Sequence, residues 1–345
     1  MIMIIDKNFS PIMEQVFAGR GFSIDEAEAL THSMIDGTLS DVRIAAVLTG
    51  FRFLPISEDV IIRILNTIQE KNKIIKDHNL NHIVDCAGTG GDRLTTLNIL
   101  TTASIVAAGA GANVAKFTGV SVSNKSASSD VFQMLNLSPV QSVEQAYENI
   151  KDFKIAFLSS KTFYPTLKHL MDIRKTLGFK TIIDLLFPLA NPVPLTGQFI
   201  GVYHKDCLPL LINCLKKLNK TRGMIAHGED GLDEISVCSA SYISKLENGK
   251  ITHEVIKPSD FGIQNHQIKD LLGKDIEYNS RVLIDVLKNQ AHPAVMDAVA
   301  MNTAATLWCA ELCQDLKDGL KLARKAIQSG KALHVFEKWK SISQQ

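Results

Sequence analysis

A glycine-rich turn is the first segment of this sequence that is suited to chemistry. Three glycines fall within Gly88-Thr89-Gly90-Gly91-Asp92, between a short apolar segment and a long apolar helical pattern. Glycines let a backbone approach a ligand closely, and successive N–H groups ahead of a helix bind anions. The turn therefore predicts a phosphate or diphosphate site. An ordinary tight turn between a strand and a helix explains these residues about equally well. Asp92 would repel a bare phosphate unless a cation or a sugar hydroxyl faces it.

Polar side chains continue beyond the turn, first at the start of the following helix and then in the segment "KFTGVSVSNKSASSD". Capping of the helix is the simpler interpretation of the first group, and a polar surface loop is the alternative for the second. Neighbouring parallel strands end at the same edge of a sheet, so Lys116 is expected near the glycine turn. We therefore favour an anion site for the second group: Lys116, Ser121, Ser123, Asn124 and Ser128. Asn98 and Thr101 of the first group could donate to the same anion, although capping is the more probable role for them taken alone.

Two further segments carry charged groups of interest. The acidic turn "HGEDGLDEIS" contains the adjacent carboxylates Asp233 and Glu234, which suit a hard cation such as Mg²⁺. A solvated acidic turn is the usual alternative. That alternative becomes less probable if the protein binds a polyphosphate, because Mg²⁺ is then expected.

Arg174 lies in the helical pattern "MDIRKTLG". An arginine there usually faces solvent, but it would be important as a binder of a carboxylate.

The elements that must position these residues follow from apolar spacing. Residues up to about 77 read as amphipathic helices, with Ser23 and Ser40 at N-cap positions and Glu26 completing a capping box with Ser23. From "NHIVDCAGTGGD" onward, strands and helices alternate, which predicts a parallel sheet. The segment "KTIIDLL" fits a strand or a buried helix. Asn248-Gly249 signals a hairpin, and helices close the chain.

Composition restricts the class of protein. The chain has 345 residues, 46% of them hydrophobic and 21% charged, with a formal charge of +1. The near-neutral charge gives no general reason to bind nucleic acid or an anionic membrane. Cys309 and Cys313 are four residues apart, but no second pair completes a zinc site, so reduced thiols are expected. We find no secretory signal and no membrane-spanning run, and we expect a cytoplasmic protein.

Several motifs occur in a fixed order along the chain, and together they resemble the anthranilate phosphoribosyltransferase family, which is related to the pyrimidine nucleoside phosphorylases. They are "GTGGD", the following "T-x-N", the lysine and serine segment, "RKTLGFKTIIDLL-x-PLANP", "HGEDGLDEIS", and "P-x-DFG" at 258–262. The resemblance covers nearly the whole chain. It implies transfer of phosphoribose from phosphoribosyl diphosphate to anthranilate, with release of pyrophosphate, in tryptophan synthesis.

The resemblance also implies an α/β fold and a homodimer. A small all-helical dimerisation domain would comprise 1–77 with a central piece at about 160–190. A larger α/β domain with a mostly parallel sheet would comprise 78–159 and 191–345. The implied cofactor is Mg²⁺, held by Asp233 and Glu234. The implied donor-binding residues are Gly88, Gly91, Asp92, Thr96, Asn98, Thr101, Lys116, Ser123, Asn124 and Ser128, and the implied acceptor-binding residues are Gly88, Phe117, Gly119, Tyr164 and Arg174.

The sequence departs from the family pattern mainly where the acceptor would bind. Leu100 replaces a serine that helps to bind one magnesium ion in the family, and leucine cannot ligate a metal. The family's "K-H-G-N-R" reads Lys116-Phe117-Thr118-Gly119-Val120 here, and Tyr164 stands where the family has histidine. The asparagine and the first glycine of the family's "N-L-L-G-P" become Asp184 and Phe187.

Three functions are compatible with these departures. The first is an anthranilate enzyme in which Phe117 and Tyr164 stack on the acceptor ring. The second is a related phosphoribosyltransferase with a different aromatic or heterocyclic acid as acceptor; Arg174 favours a carboxylate in both cases. The third is a non-catalytic or nucleic-acid-binding relative, which the near-neutral charge disfavours.

Overall fold

The computed structural model describes residues 2–72, 74, 82–90, 96–119, 128–264 and 266–342, with side chains described from residue 9 to residue 341 of these ranges. Four of the predicted ligand-binding residues lie outside the described residues: Gly91, Asp92, Ser123 and Asn124. Ser121 lies outside them as well.

Four helices precede the sheet, as the apolar spacing predicts. The capping box is confirmed, because Ser23 Oγ accepts from the Glu26 N–H at 3.3 Å while Glu26 Oε2 accepts from the Ser23 N–H at 2.9 Å. Ser40 occupies the predicted N-cap, but among the described residues its side chain makes no capping hydrogen bond. The helices are α1 (Ile2–Phe17), α2 (Ile24–Ile35), α3 (Asp41–Phe53) and α4 (Glu58–Lys71).

A seven-stranded sheet forms the centre of the described chain, in the order β3-β2-β1-β4-β5-β6-β7. The first five strands of this order pair in parallel, and the last two form an antiparallel hairpin. Asn248 and Gly249 have φ angles of 49° and 80°, which confirms the predicted hairpin turn. The strands are β1 (Ile83–Gly88), β2 (Asn113–Thr118), β3 (Ile155–Ser159), β4 (Gly197–Gly201), β5 (Arg222–Gly228), β6 (Ser241–Glu247) and β7 (Lys250–Ile256).

One of the helices that cover the sheet, α5 (Ile99–Gly109), is buried over nearly its whole length. It is mostly apolar, and it packs on the later helices Pro293–Cys309 and Lys331–Ile342. The remaining helices are α6 (Ser128–Met134), α7 (Val143–Phe153), α8 (Ser160–Phe163), α9 (Lys168–Leu177), α10 (Ile182–Leu189), α11 (Cys207–Lys217), α12 (Ile276–Leu287), α13 (Pro293–Cys309), α14 (Leu316–Gln328) and α15 (Lys331–Ile342). Short 3-10 helices occur at Pro165–Leu167, Pro258–Phe261 and Ile268–Leu271.

The ambiguous segment "KTIIDLL" forms helix α10. A second capping box fixes its start, since the Thr181 N–H donates to Asp184 Oδ2 at 2.8 Å and Thr181 Oγ1 accepts from the Ile183 N–H at 3.3 Å. Its apolar face joins the helices α1–α4 in one hydrophobic cluster. The domain boundaries stay a prediction, because this cluster also continues into the sheet through Ile83 and Ile200.

The six cysteines are free thiols, in agreement with the reduced state predicted for Cys309 and Cys313. Within the described part of the chain, no helix combines the length and the apolar character that crossing a bilayer requires.

Candidate active site

A cavity of about 180 Å³ opens at the carboxyl edge of the parallel strands. Its walls come from the ends of β1 and β2, the start of α5, the helices α9 and α10, and the turn that follows β5. Parallel sheets place their ligands at this edge, where the strand order changes direction around β1. The cavity is therefore the place where the predicted site residues should meet.

Six of the predicted donor-binding residues line this cavity: Gly88, Thr96, Asn98, Thr101, Lys116 and Ser128. Lys116 is buried, and its Nζ donates to the backbone oxygen of Cys86 at 2.6 Å. The hydroxyls of Thr101 and Ser128 are 2.6 Å apart, so α5 and α6 present one joint pair of hydroxyl groups. The sequence prediction that these polar groups converge agrees with the structure.

The acidic turn reaches the glycine turn across the cavity. Asp233 Oδ2 accepts a hydrogen bond of 2.7 Å from the N–H of Gly90, whose φ of +64° favours glycine. Glu234 lines the same wall, and both carboxylates are buried. At Gly88, a Cβ atom would lie 2.7 Å from Asp233 Oδ2, so only glycine allows this approach.

Only two carboxylates of the acidic turn line the cavity, and no group of three His, Cys, Asp or Glu residues able to hold a metal occurs among the described residues. Mg²⁺ is commonly held by one or two carboxylates together with phosphate oxygens of a substrate and water. The pair Asp233 and Glu234 fits that mode. Leu100 also lines the cavity and contributes only methyl groups there.

Asn302 holds the acidic turn in place, and sequence reasoning missed this residue. It is fully buried in α13, where its Oδ1 accepts from the Ile235 N–H at 2.9 Å and its Nδ2 donates to the Ile235 oxygen at 3.0 Å. A lone asparagine inside the apolar run "AVAMNTAATLW" was the available signal. Buried amides need such partners.

The far side of the cavity, formed by Phe117, Gly119, Arg174, Asp184 and Phe187, is called here the aromatic end. The rings of Phe117 and Phe187 stack with their centroids 4.9 Å apart and their planes 10° apart. A Cβ atom on Gly119 would lie 2.6 Å from the ring of Phe187. The glycine therefore makes room for this phenylalanine.

Tyr164 requires a correction, because the structure does not bring it to this cavity. Its hydroxyl donates to the Ala190 oxygen at 2.5 Å, and its ring packs edge-on to Phe117 at 5.8 Å, on the side of the helical cluster. The buried ring of Tyr164 therefore packs within the helical cluster. Tyr164 supports Phe117 from behind and is not placed to stack on a ligand ring.

Arg174 does not face solvent; it is 7% exposed and paired with Asp184. Arg174 Nε donates to Asp184 Oδ2 at 3.0 Å, and Nη2 contacts Oδ1 of the same carboxylate. Burial raises the pKa of Asp184, but the hydrogen bond from Arg174 and the charge of Lys180 outweigh burial and hold that pKa below its usual value. Asp184 is therefore ionised at neutral pH.

Lys180 is a second residue that sequence reasoning missed. Its Nζ donates to the Thr89 oxygen at 2.9 Å and lies 3.1 Å from Asp184 Oδ1. It thus links the glycine turn to the aromatic end. A lysine just before a capping box carried no signal of this role in the sequence.

The comparisons with known proteins cover nearly the whole chain. The glycosyl transferase family helical bundle domain matches residues 10–71, and the glycosyl transferase family a/b domain matches residues 80–333. The anthranilate phosphoribosyltransferase of Persephonella marina is 31% identical, over 96% of this chain and 98% of that protein. That of Chromobacterium violaceum is 34% identical, over 96% of both.

Solved structures of anthranilate phosphoribosyltransferases also match this chain over nearly its whole length. Anthranilate phosphoribosyltransferase from Thermus thermophilus has a TM-score of 0.87 at 27% identity, over 97% of this chain and 99% of that one. The Saccharomyces cerevisiae enzyme in complex with PRPP and Mg has a TM-score of 0.86 at 24% identity, over 98% of both chains, and supports the fold. This fold is the predicted one, a helical N-terminal region followed by an α/β body with a mostly parallel sheet. The chain belongs to the anthranilate phosphoribosyltransferase family of glycosyltransferases.

Proposed function

We propose that this enzyme transfers phosphoribose from phosphoribosyl diphosphate to anthranilate and releases pyrophosphate, a step of tryptophan synthesis. The observation that carries the proposal is the meeting of a glycine turn, a buried lysine and an acidic pair in one cavity. These groups suit a diphosphate bound with a divalent cation. We take anthranilate as the acceptor because the relatives described above are named anthranilate phosphoribosyltransferases.

The donor would lie along the glycine turn. Lys116 and the hydroxyls of Thr101 and Ser128 are suited to bind phosphate oxygens, because each lines the cavity and can donate. Gly91, Asp92, Ser123 and Asn124, predicted from the sequence as further donor contacts, lie outside the described residues. They remain part of the proposal.

Asp233 and Glu234 would hold Mg²⁺ against the diphosphate. When bound, this ion supplies positive charge that stabilises the leaving pyrophosphate. The protein itself positions the two substrates and shields the reacting carbon of the ribose from water. Because charge and position do most of the work in such a displacement, no general base has to be assigned.

The acceptor would occupy the aromatic end. Phe187 offers a ring that is backed by the buried ring of Phe117, and Arg174 provides a donor for a group on the acceptor ring. Gly119 leaves the space that the Phe187 ring occupies. Gly88 also lines the cavity, and its predicted contact with both substrates stays part of the proposal.

Titration calorimetry with phosphoribosyl diphosphate and Mg²⁺ tests the donor half of this proposal. Lys116→Met should weaken donor binding about tenfold or more, since it removes a buried positive charge from the cavity. Lys321→Met is a matched control, because that lysine lies on the surface, 78% exposed. If the unmodified enzyme binds no donor at millimolar concentration, the transferase proposal fails.

We further propose that the enzyme is a homodimer that associates through its N-terminal helices. Large apolar side chains are exposed there, with Phe17 at 66%, Val42 at 80% and Phe53 at 79%. Such side chains are commonly covered in an assembly. Light scattering of the full chain should give twice the mass of 37.9 kDa, and a monomer at micromolar concentration would refute the dimer.

A further inference from the structure

The peptide unit between Thr89 and Gly90 is held from both sides by groups of opposite charge. Lys180 Nζ donates to the Thr89 oxygen at 2.9 Å, while the Gly90 N–H donates to Asp233 Oδ2 at 2.7 Å. The C=O and N–H groups of a trans peptide point in opposite directions, so a cation at one and a carboxylate at the other both match its dipole. Lys180 and Asp233 therefore orient this peptide together.

Thr89 itself is anchored to the end of β4 and the turn that follows it. Its N–H donates to the Gly201 oxygen at 2.9 Å, and its Oγ1 accepts from the Tyr203 N–H at 3.0 Å. The next residue, Gly90, has a φ of +64° and belongs to the residue type with the most backbone freedom. The two charged contacts therefore select one of several orientations that are open to the peptide between these residues.

Lys180 also reaches the aromatic end of the cavity. Its Nζ lies 3.1 Å from Asp184 Oδ1, and Oδ2 of the same carboxylate accepts from Arg174 Nε at 3.0 Å. Arg174 and Lys180 bring two positive charges and Asp184 one negative charge, so the group keeps a net charge of +1. Arg174 Nη1 is buried and has no hydrogen-bond partner among the described residues. The surplus charge and this donor suit a carboxylate on the acceptor.

The ammonium group of Lys180 thus connects two walls of the cavity. The residue precedes α10, its side chain is 18% exposed, and its Nζ extends to the turn at the end of β1. Loss of this ammonium would release the Thr89 oxygen and would lower the net charge beside Arg174 from +1 to zero. One substitution should therefore affect both halves of the cavity.

We propose that Lys180 is a positioning residue for both substrates: it orients the peptide that holds Asp233, and it maintains the positive charge that Arg174 offers to the acceptor carboxylate. The inference rests on the proposed function for the identity of the two ligands. It goes further by assigning the support of both ligand sites to one residue that contacts neither reacting group.

Titration calorimetry on the full chain tests this role with two ligands. The first is phosphoribosyl diphosphate at several Mg²⁺ concentrations, and the second is anthranilate with saturating pyrophosphate and Mg²⁺. In Lys180→Met the donor should bind about tenfold more weakly at low Mg²⁺, since loss of a group that supports a metal ligand costs about 10- to 100-fold in affinity. High Mg²⁺ should recover part of that loss. Anthranilate should bind about tenfold more weakly, the size expected for one lost charge in a buried site.

A conservative variant and a matched control separate this role from a general loss of stability. Lys180→Arg should bind both ligands more tightly than Lys180→Met, because a guanidinium keeps the charge and can donate to both oxygens. Lys175→Met removes an exposed lysine of α9 and should leave both dissociation constants unchanged. Thermal denaturation verifies the fold of each variant, and the uncharged Lys180→Gln replaces Lys180→Met if the latter is unfolded.

Three results would each overturn the inference. They are a loss of less than about twofold for either ligand in the folded, uncharged variant, an arginine variant no better than the methionine variant, and equal losses in Lys175→Met. Pyrophosphate release is measured separately. If both ligands bind with the expected losses but the unmodified enzyme releases no pyrophosphate, the proposed reaction fails while the assignment of Lys180 stands. If the unmodified enzyme binds neither ligand, both proposals fail.

Discussion

Substitution of Gly88 by alanine should damage the active site while sparing the fold. The new Cβ atom would lie 2.7 Å from Asp233 Oδ2, whereas ordinary contacts begin at 3.4 Å. The carboxylate must therefore retreat by about 0.7 Å, an ordinary van der Waals adjustment for the end of a side chain. Gly88 does not have a positive φ, so alanine adds no backbone strain of that kind.

The retreat breaks or lengthens the 2.7 Å hydrogen bond from the Gly90 N–H to Asp233. A bond to a charged group is worth about 1.5–3 kcal/mol, and displaced metal-site groups reduce affinity by about 10- to 100-fold. We therefore expect Gly88→Ala to bind phosphoribosyl diphosphate about 10- to 100-fold more weakly at a fixed Mg²⁺ concentration. Part of the loss should be recovered at higher Mg²⁺.

Calorimetry at several Mg²⁺ concentrations measures this effect, and thermal denaturation verifies the fold. Gly201→Ala provides the contrast, because its Cβ would lie 1.7 Å from the backbone oxygen of Asp233, which cannot rotate away. That variant should lose stability. If folded Gly88→Ala binds the donor with unchanged affinity and unchanged Mg²⁺ dependence, the role assigned to Asp233 is refuted.

Three further predictions concern stability, measured by urea unfolding. Burial raises the pKa of Asp85 to about 6, so the folded protein holds this proton more tightly than the unfolded chain. The stability of the unmodified protein relative to Asp85→Asn should therefore fall by about 2.4 kcal/mol between pH 4 and 7; a flat difference would contradict the buried acid. Leucine substitutions of Phe117 and Phe187, alone and together, should show a coupling energy of about 0.5–1.5 kcal/mol for the stacked rings, whereas additivity would mean that the stack contributes nothing. Asn302→Ala should cost about 2–3 kcal/mol because both backbone groups of Ile235 lose their partner; a loss below 1 kcal/mol would mean that another group or water replaces the amide.

The fold and the donor half of the site were predictable because local signals coincide with the tertiary arrangement. Parallel strands end at one edge of a sheet, so the position of Lys116 in the last half of β2 is enough to predict that it lies near the glycine turn. The capping box of Ser23 with Glu26 and the Asn248-Gly249 turn are equally local. Such features need no knowledge of distant contacts.

Long-range contacts could not be predicted in this way. The support that Asn302 gives to the acidic turn joins residues 67 positions apart, and Lys180 meets the glycine turn 91 positions away. Nothing in the local spacing of either residue indicates its partner. Tyr164 shows the opposite error. Its place at a histidine position of the family pattern implies contact with the acceptor, but its ring packs into the helical cluster.

The aromatic end shows why the departures from the family pattern have to be considered together. Phe187 fits only because position 119 is glycine, and its ring then stacks on Phe117, which Tyr164 supports from behind. Asp184 in the same helix is fully paired and stabilised. A site that had merely lost its function would be expected to leave clashes or unpaired charges among these groups, whereas here each new side chain has a partner that suits it. The mutual fit of these residues therefore favours an acceptor site rebuilt for binding over one that has decayed.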